Sequence, residues 1–342
     1  MSEAAAGRPV LRILAAGAGV TLQDRGRHGA LRYGITPAGP MDPLACATAN
    51  RALGNPPGAT AIEAGLGGLA LTVEGSPIDL ALAGGAFRID CDGRTLPPAC
   101  ALTLRPGTAL TLRAGRAGAW CYLAVAGRID VPPVLGSTAT HTRSRLGGLD
   151  GRALAAGDAL PVAEARAGLG EPAALGAPWL DRPPGTIRVV LGPQDDHFAP
   201  SEIAAFLDRD WTVTPRGDRM ACFLDGAPLA HARGHDIVSD GVAQGAIQVP
   251  GQGLPIVLMA DRQPTGGYPK IATVIGADLG RLAQAQAGTR LRFRAVTLAE
   301  AVEARRAEAA ALAPSVALEP VVRTAFSSEF LLGRNLIDGV VG

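Results

Sequence analysis

The stretch Leu102-Thr-Leu-Arg-Pro-Gly-Thr-Ala-Leu-Thr-Leu112 sets a Pro-Gly turn directly before an alternating run, and Ala287-Gly-Thr-Arg-Leu-Arg-Phe293 repeats the device near the other end of the chain. A glycine turn supplies the reversal, and period-two alternation supplies one face for a core and one for solvent, the pattern of antiparallel sheets and barrels. The runs 78–83, 109–113, 120–125, 186–191, 245–249, 255–259 and 290–295 read as strands, several of them rich in β-branched or aromatic residues and bounded by Gly, Pro or Asp. Ile78-Asp-Leu-Ala-Leu-Ala83 alternates only weakly, which predicts cover on both faces.

Helix signals are fewer. Residues 43–53 follow Asp42 as a cap with Pro43 in the first turn; 200–208 and the Ala-, Glu- and Arg-rich 300–311 complete the set. The strands are not separated by helices long enough for a parallel βαβ sheet. The expectation is a mostly-β fold: a first barrel unit over 10–164, a linker over the Ala-, Gly- and Pro-rich 165–184, a second barrel unit over 185–297, and a helical, apolar tail over 298–342 with Phe326, Phe330 and Leu336.

A chain of 342 residues suits two domains. Lys and Arg total 32 against 31 Asp and Glu, and aromatic residues are 4%, which excludes a basic, stacking nucleic-acid reader and a polybasic membrane surface. No apolar run reaches the length of a membrane span, and MSEAAAGRPVLRIL lacks a signal-peptide core, so a soluble cytoplasmic protein is expected. The near-neutral charge and apolar tail predict association with itself or with a partner subunit. Cys46, Cys91, Cys100, Cys121 and Cys222 are dispersed without metal-ligand spacing, and most of them read as small buried hydrophobes. His231 and His235 lack the intervening Glu and third ligand of a metalloprotease helix, so no metal site is expected; no Walker A loop, dinucleotide fingerprint or serine nucleophile elbow occurs.

Polar residues concentrate instead in glycine turns. The blocks are Gln23-Asp-Arg-Gly-Arg27, Gly39 with Met41-Asp42, Ala49-Asn-Arg51 with Gly54-Asn-Pro56, Asp218-Arg-Met220, Gly245-Ala-Ile-Gln-Val-Pro250 and Asp261-Arg-Gln-Pro-Thr-Gly-Gly-Tyr-Pro-Lys270. In this combination the chain, from about Gly19 to Phe293, resembles the carboxyltransferase-like family of allophanate hydrolase subunit 2, the 5-oxoprolinase C subunit and the C-terminal half of the urea amidolyase carboxyltransferase domain. Two positions depart from the family pattern: Pro264 stands where Thr is usual, and Asp240 where Glu is usual. The resemblance implies two connected cyclophilin-like β-barrel units. It also implies one component of an ATP-dependent 5-oxoprolinase-type complex that opens 5-oxo-L-proline to L-glutamate. Its partners there would be an allophanate hydrolase subunit 1-like protein (the 5-oxoprolinase B subunit) and the 5-oxoprolinase A subunit. The alternatives are a biotin-dependent carboxyltransferase acting on urea or a related amide, and a non-catalytic regulatory subunit that binds a subunit 1-like or kinase-inhibitor-like partner. No cofactor is expected on this chain alone: ATP would serve the complex, and biotin the carboxyltransferase alternative.

The residues themselves suggest roles. Lys270 can neutralise a carboxylate or carbonate-like group, Tyr268 can wall the site or carry a proton, and Asp261 completes the candidate catalytic set. Gly266-Gly267 lets amide groups approach a small anion or carbonyl, beside the Thr265 hydroxyl. Gln248 and Gln263 each offer a donor and an acceptor to the edge of an amide, lactam or ureido ring. Asp24, Arg27, Gly39 and Asp42 are candidates for an opposite wall, and Asp218 and Arg219 for a reach from the second unit. For Asp24, Arg27, Asp42, Asp218 and Arg219, pinning loops or forming a stabilising ion pair is an equal expectation.

Overall fold

The computed structural model describes residues 7–313 and 315–321. Its first part is a pair of seven-stranded antiparallel sheets. One runs, in spatial order, Arg128–Ile129, Ala159–Ala163, Val10–Ala16, Leu69–Glu74, Ala109–Arg113, Arg88–Cys91 and Arg94–Leu96. The other runs Thr21–Gln23, Ala61–Ala64, Cys121–Val125, Ile78–Gly84, Cys100–Leu104, Ala173–Gly176 and Ala317–Pro320. Leu11, Leu71 and Leu112 of the first meet Leu22, Leu80 and Leu123 of the second in one buried cluster, so the sheets lie face to face.

The strand Ile78–Gly84 explains its own weak alternation. Ile78, Leu80 and Leu82 join the inter-sheet core, whereas Ala81 and Ala83 pack against Ala45, Cys46 and Ala49 of helix α1 (Pro43–Ala52). Small residues on both sides let the helix sit close on the sheet. Asp42 caps α1 by accepting from the Ala45 amide, and Pro43 occupies the first turn.

The second part is a closed barrel in the order Thr186–Leu191, Lys270–Val274, Ala246–Gln248, Ile256–Leu258, Ala221–Asp225, Trp211–Val213 and Arg290–Ala295. Thr186–Leu191 runs parallel to Arg290–Ala295 and closes it; the remaining ladders are antiparallel. Three further helices follow in chain order: α2 (Pro200–Asp208), α3 (Gly276–Ala283) and α4 (Leu298–Leu312). Phe206 of α2 stacks on Phe293 at 4.7 Å, joining Trp211, Ile247 and Val257 in the barrel's cluster.

The expectation of two cyclophilin-like barrel units is therefore corrected: one barrel closes, and the first part is two stacked sheets. Among the described residues no ladder joins the edge strands Arg94–Leu96 and Arg128–Ile129 of one sheet to Thr21–Gln23 and Ala317–Pro320 of the other. Alternating strands and glycine turns build sandwich and barrel alike, because closure is decided by pairing between distant edges. The stretch 165–184 carries the strand Ala173–Gly176, paired to Cys100–Leu104 and, on its other side, to Ala317–Pro320 beyond α4. The apolar patch expected from Phe326 to Val341 lies outside the described residues. Among those described, no helix is long and apolar enough to cross a membrane.

Candidate functional site

Arg219, at the end of the turn before Ala221–Asp225, points out of the barrel into the first part of the molecule. Its Nε and Nη2 donate to both oxygens of Asp261 at 2.9 and 2.8 Å, Nη2 also donates to the Gly39 carbonyl at 2.8 Å, and Nη1 pairs with Glu63. Glu63 is fully buried in the strand Ala61–Ala64 and also accepts from the Met41 amide at 2.8 Å and the Tyr122 hydroxyl at 2.7 Å. Burial alone would push the Arg219 guanidinium down, but Glu63 and Asp261 hold it above its ordinary value. Burial pushes the Glu63 carboxyl up, against Arg219. Gly39 has φ +86, a left-handed conformation that favours glycine, and its amide donates to Gln23 at 3.0 Å.

Of the other candidates, Asp42 bonds across the seam between the two parts and Asp218 lines it, whereas Asp24 and Arg27 bond within the first part. Asp42 accepts from Arg182 at 2.8 and 3.0 Å and from Gln284 at 3.0 Å. Asp24 is held by the Gly26 amide, the Ser137 hydroxyl and the Thr138 amide and hydroxyl. Arg27 is buried and donates to the Ala139 and Val134 carbonyls. Asp218 accepts from the Met220 and Ala221 amides and so shapes its own turn. A cleft of about 540 Å³ opens along the seam, lined by Asp218, Arg219 and Asp261 together with Leu66, Trp120 and Met259. Asp24, Asp42 and Asp218 each accept hydrogen bonds from neighbouring loops, and Arg27 donates to two loop carbonyls while its Nη1 is buried without a partner among the described residues.

Lys270 stands in a different group, as the first residue of Lys270–Val274 and opposite Gln248 in the neighbouring strand. Directly opposed residues share a sheet face. Ala246, two residues before Gln248 and so on the same face, packs against Val242 and Leu258. That face is crossed by a two-stranded ribbon pairing Asp240–Gly241 with Thr265–Gly266. The Lys270 side chain is 2% exposed, and its Nζ donates to Asp240 at 3.0 Å, whose side chain is 53% exposed. Gln194 braces the pair, accepting from the Lys270 amide at 3.2 Å and donating to Asp240 at 3.3 Å. Gln263 donates to Gln248 Oε1 at 3.4 Å, while Gln248 Nε2 is buried without a partner among the described residues. A Cβ placed on Gly266 would collide with that Nε2, so glycine is what lets the ribbon lie on the amide. Tyr268 is half-exposed beside it.

The structure thus brings Gln248, Gln263, Thr265, Gly266 and Lys270 together, and among the described residues no hydrogen bond or ion pair links this group to Asp261. Burial pushes the thiols of Cys46, Cys100, Cys121 and Cys222 up, Cys100 and Cys222 to about 12, which leaves them inert as nucleophiles.

The family model for the carboxyltransferase domain, subdomains A and B, matches residues 33–295. The chain belongs to this carboxyltransferase-domain family. It is 38% identical over 300 residues to the 5-oxoprolinase C subunit of Escherichia coli (strain K12), covering 87% of the chain and 94% of that protein. It is 30% identical over 305 residues to urea amidolyase of Saccharomyces cerevisiae, covering 83% of the chain but 16% of that protein. Among solved structures, the K. lactis urea amidolyase superposes with a TM-score of 0.82 at 26% identity, over 90% of the chain and 20% of that one. TTHA0988 gives 0.76 at 32% identity over 86% of the chain and 57% of its own, so this carboxyltransferase-family chain spans a little over half of it.

Four residues of the two groups escaped the sequence reading as site members: Glu63, Gln194, Asp240 and Arg262. Arg262 is buried, donates from Nε to the Val242 carbonyl at 2.9 Å and has no partner for Nη1. Glu63 had a readable signal, a carboxylate inside the otherwise apolar Ala-Ile-Glu-Ala. Lys270 had a stronger one: it is the single lysine among 32 basic Lys and Arg residues.

Proposed function

We propose that this chain is the C subunit of an ATP-dependent 5-oxoprolinase-type complex that opens 5-oxo-L-proline to L-glutamate, working in the cytoplasm with proteins resembling the 5-oxoprolinase A and B subunits. The observation that carries the reading is the 38% identity to the E. coli protein over 300 residues, against 30% to the yeast urea amidolyase over 305. The site chemistry supports it. Ring opening adds water across the lactam C–N bond, and charge develops on the lactam oxygen. Gln248 Nε2, already desolvated and without a partner, is a preorganised donor for such an oxygen, and Lys270 supplies the nearby positive charge. ATP would be used by the complex.

The urea amidolyase likeness, with a TM-score of 0.82 over 90% of the chain, favours a second reading: carboxyl transfer to urea or a related amide. There Gln248 would hold the ureido carbonyl of biotin by the same donor. A regulatory role is the third outcome. The reconstituted complex decides between them by ATP-dependent glutamate release from 5-oxoproline, compared with bicarbonate- and biotin-dependent urea carboxylation. Lys270→Ala is expected to cost about 3 kcal/mol of transition-state stabilisation, roughly a hundredfold in rate. An unchanged rate removes Lys270 from catalysis, activity on urea alone replaces the substrate, and loss of partner binding without any turnover assigns the regulatory role.

A further inference from the structure

Three donors around the ribbon are incompletely used. Among the described residues Gln248 Nε2 and Arg262 Nη1 are buried without partners, and the Lys270 ammonium, itself buried, pairs with one carboxylate, that of Asp240. They are neighbours: Gln248 opposes Lys270 across the ladder, Gln248 Nε2 and the Val242 side chain both lie against Gly266, and Arg262 Nε holds the Val242 carbonyl. Buried donors without acceptors are uncommon in folded proteins, and one explanation is a ligand whose acceptors complete them. Asp240 differs from its partners in exposure and in attachment. It sits half in solvent on a strand of two residues, whereas Lys270 and Gln248 are fixed in the barrel wall.

We propose that Asp240 is a built-in stand-in for a carboxylate of the ligand. A small planar amide that carries a carboxylate binds by taking the place of Asp240 on Lys270 while its carbonyl oxygen accepts from Gln248, with Arg262 beside it. The ribbon Asp240–Gly241/Thr265–Gly266 then releases its hold on the ammonium and flanks the bound molecule. Asp240 is a positioning residue: it keeps the ammonium in place and sets the affinity threshold a carboxylate must exceed. The choice of lysine fits this exchange. An ammonium is a compact point charge that can exchange one oxygen partner for another, whereas a guanidinium forms bidentate pairs that hold their partner, and the chain uses arginine for every other basic Lys or Arg position. The inference rests on the proposed function only for the identity of the ligand.

Because Lys270 is the only lysine, lysine-labelled full-length chain gives one side-chain ammonium signal by NMR. That signal is followed, in the chain alone and in the reconstituted complex, during titration with 5-oxoproline, with 2-pyrrolidinone, which lacks the carboxylate, and with acetate and bicarbonate. Asp240→Asn removes the competing charge at a half-exposed position while its amide oxygen can still accept from Lys270, and the melting temperature of the variant is measured alongside. The expected result is that 5-oxoproline moves the signal, that Asp240→Asn tightens its binding about two- to fivefold, the scale of one ion pair no longer broken, and that 2-pyrrolidinone binding is unchanged by the substitution. The proposal is overturned if Asp240→Asn leaves unchanged or weakens the binding of every carboxylate, if 2-pyrrolidinone tightens equally, or if no carboxylate moves the signal in either protein. If acetate or bicarbonate shows the gain and 5-oxoproline does not bind, the stand-in holds and the 5-oxoproline assignment falls.

Discussion

Arg219 meets three acceptors at once, and removing it strands two of them. Arg219→Ala leaves Glu63 and Asp261 buried without their counter-charge, a loss of about 3–5 kcal/mol, read as a lower urea midpoint. Arg219→Lys is expected to recover little, since an ammonium cannot span Asp261 bidentately and still reach Glu63 and the Gly39 carbonyl. His141 makes a pH prediction. Its Nδ1 accepts from the Ser144 amide and its Nε2 faces the Thr36 hydroxyl, and burial pushes the imidazole below its ordinary 6.5, with Arg27 and Arg219 adding to that and Asp261 opposing. The unfolded chain then protonates first as pH falls below 6.5, so this contribution is intact above that value and is lost on acidification. Melting temperature between about pH 7.5 and about pH 5.5 should therefore fall less for His141→Gln than for wild type. The block Asp218-Arg219-Met220 was visible in the sequence and a stabilising ion pair was one expectation for it, yet the partner was not readable, because Glu63 lies 156 positions away and only the fold joins them.

At the scale of elements, the ribbon over Gln248 offers a matched pair of substitutions. A methyl at Gly266 meets Gln248 Nε2 and the Val242 side chain, so Gly266→Ala must swing the amide away or lift the ribbon, an overpacking strain of about 1–3 kcal/mol. A methyl at Gly267 meets nothing nearer than the Ile237 carbonyl at 3.5 Å, an ordinary contact. Gly266→Ala should raise KM for 5-oxoproline in the complex about tenfold or more, while Gly267→Ala stays near wild type; equal effects would remove the close approach from the argument. Strands such as Ala109–Arg113, Thr186–Leu191 and Arg290–Ala295 were legible from alternation between turns, and α1 from its cap. Helix α3 was not, because Gly276 and Gly280 lower its propensity and Ile275 provides no side-chain cap. It forms through its packing: Ala277 joins Ile275 and Ala301 of α4, and Leu282 and Ala283 join the barrel's cluster. The ribbon was equally hidden, since two-residue strands leave no periodicity to read.

Over the whole molecule, the decisive feature is that the sheet pair and the barrel share groups neither could bury alone. Met41 and Trp120 from the first part pack in the barrel's cluster, and Arg219 from the barrel neutralises Glu63 of the first part. Gln284, just past α3, accepts from the Ala119 and Trp120 amides at 2.9 and 3.0 Å and donates to Asp42 and the Trp120 carbonyl, and Gln286 donates to the Gly118 carbonyl at 2.8 Å. The sequence contained no sign of the seam, whose partners are far apart in the chain and individually ordinary. If the seam couples the parts as the contacts imply, the chain unfolds in one transition, with calorimetric and van't Hoff enthalpies in agreement. Gln284→Ala with Gln286→Ala removes the bonds from the barrel side while leaving each part's own core untouched. The partly buried Ala119 and Trp120 amides then lose their acceptor, a cost of about 1 kcal/mol each that falls on the contact between the parts and not on either core. The expected outcome is a calorimetric enthalpy exceeding the van't Hoff value, or two resolved transitions. A double variant that melts lower but still as one unit would place the coupling in Arg219 and the apolar contact of Met41 and Trp120, and Arg219→Ala in the same background would then separate the transitions.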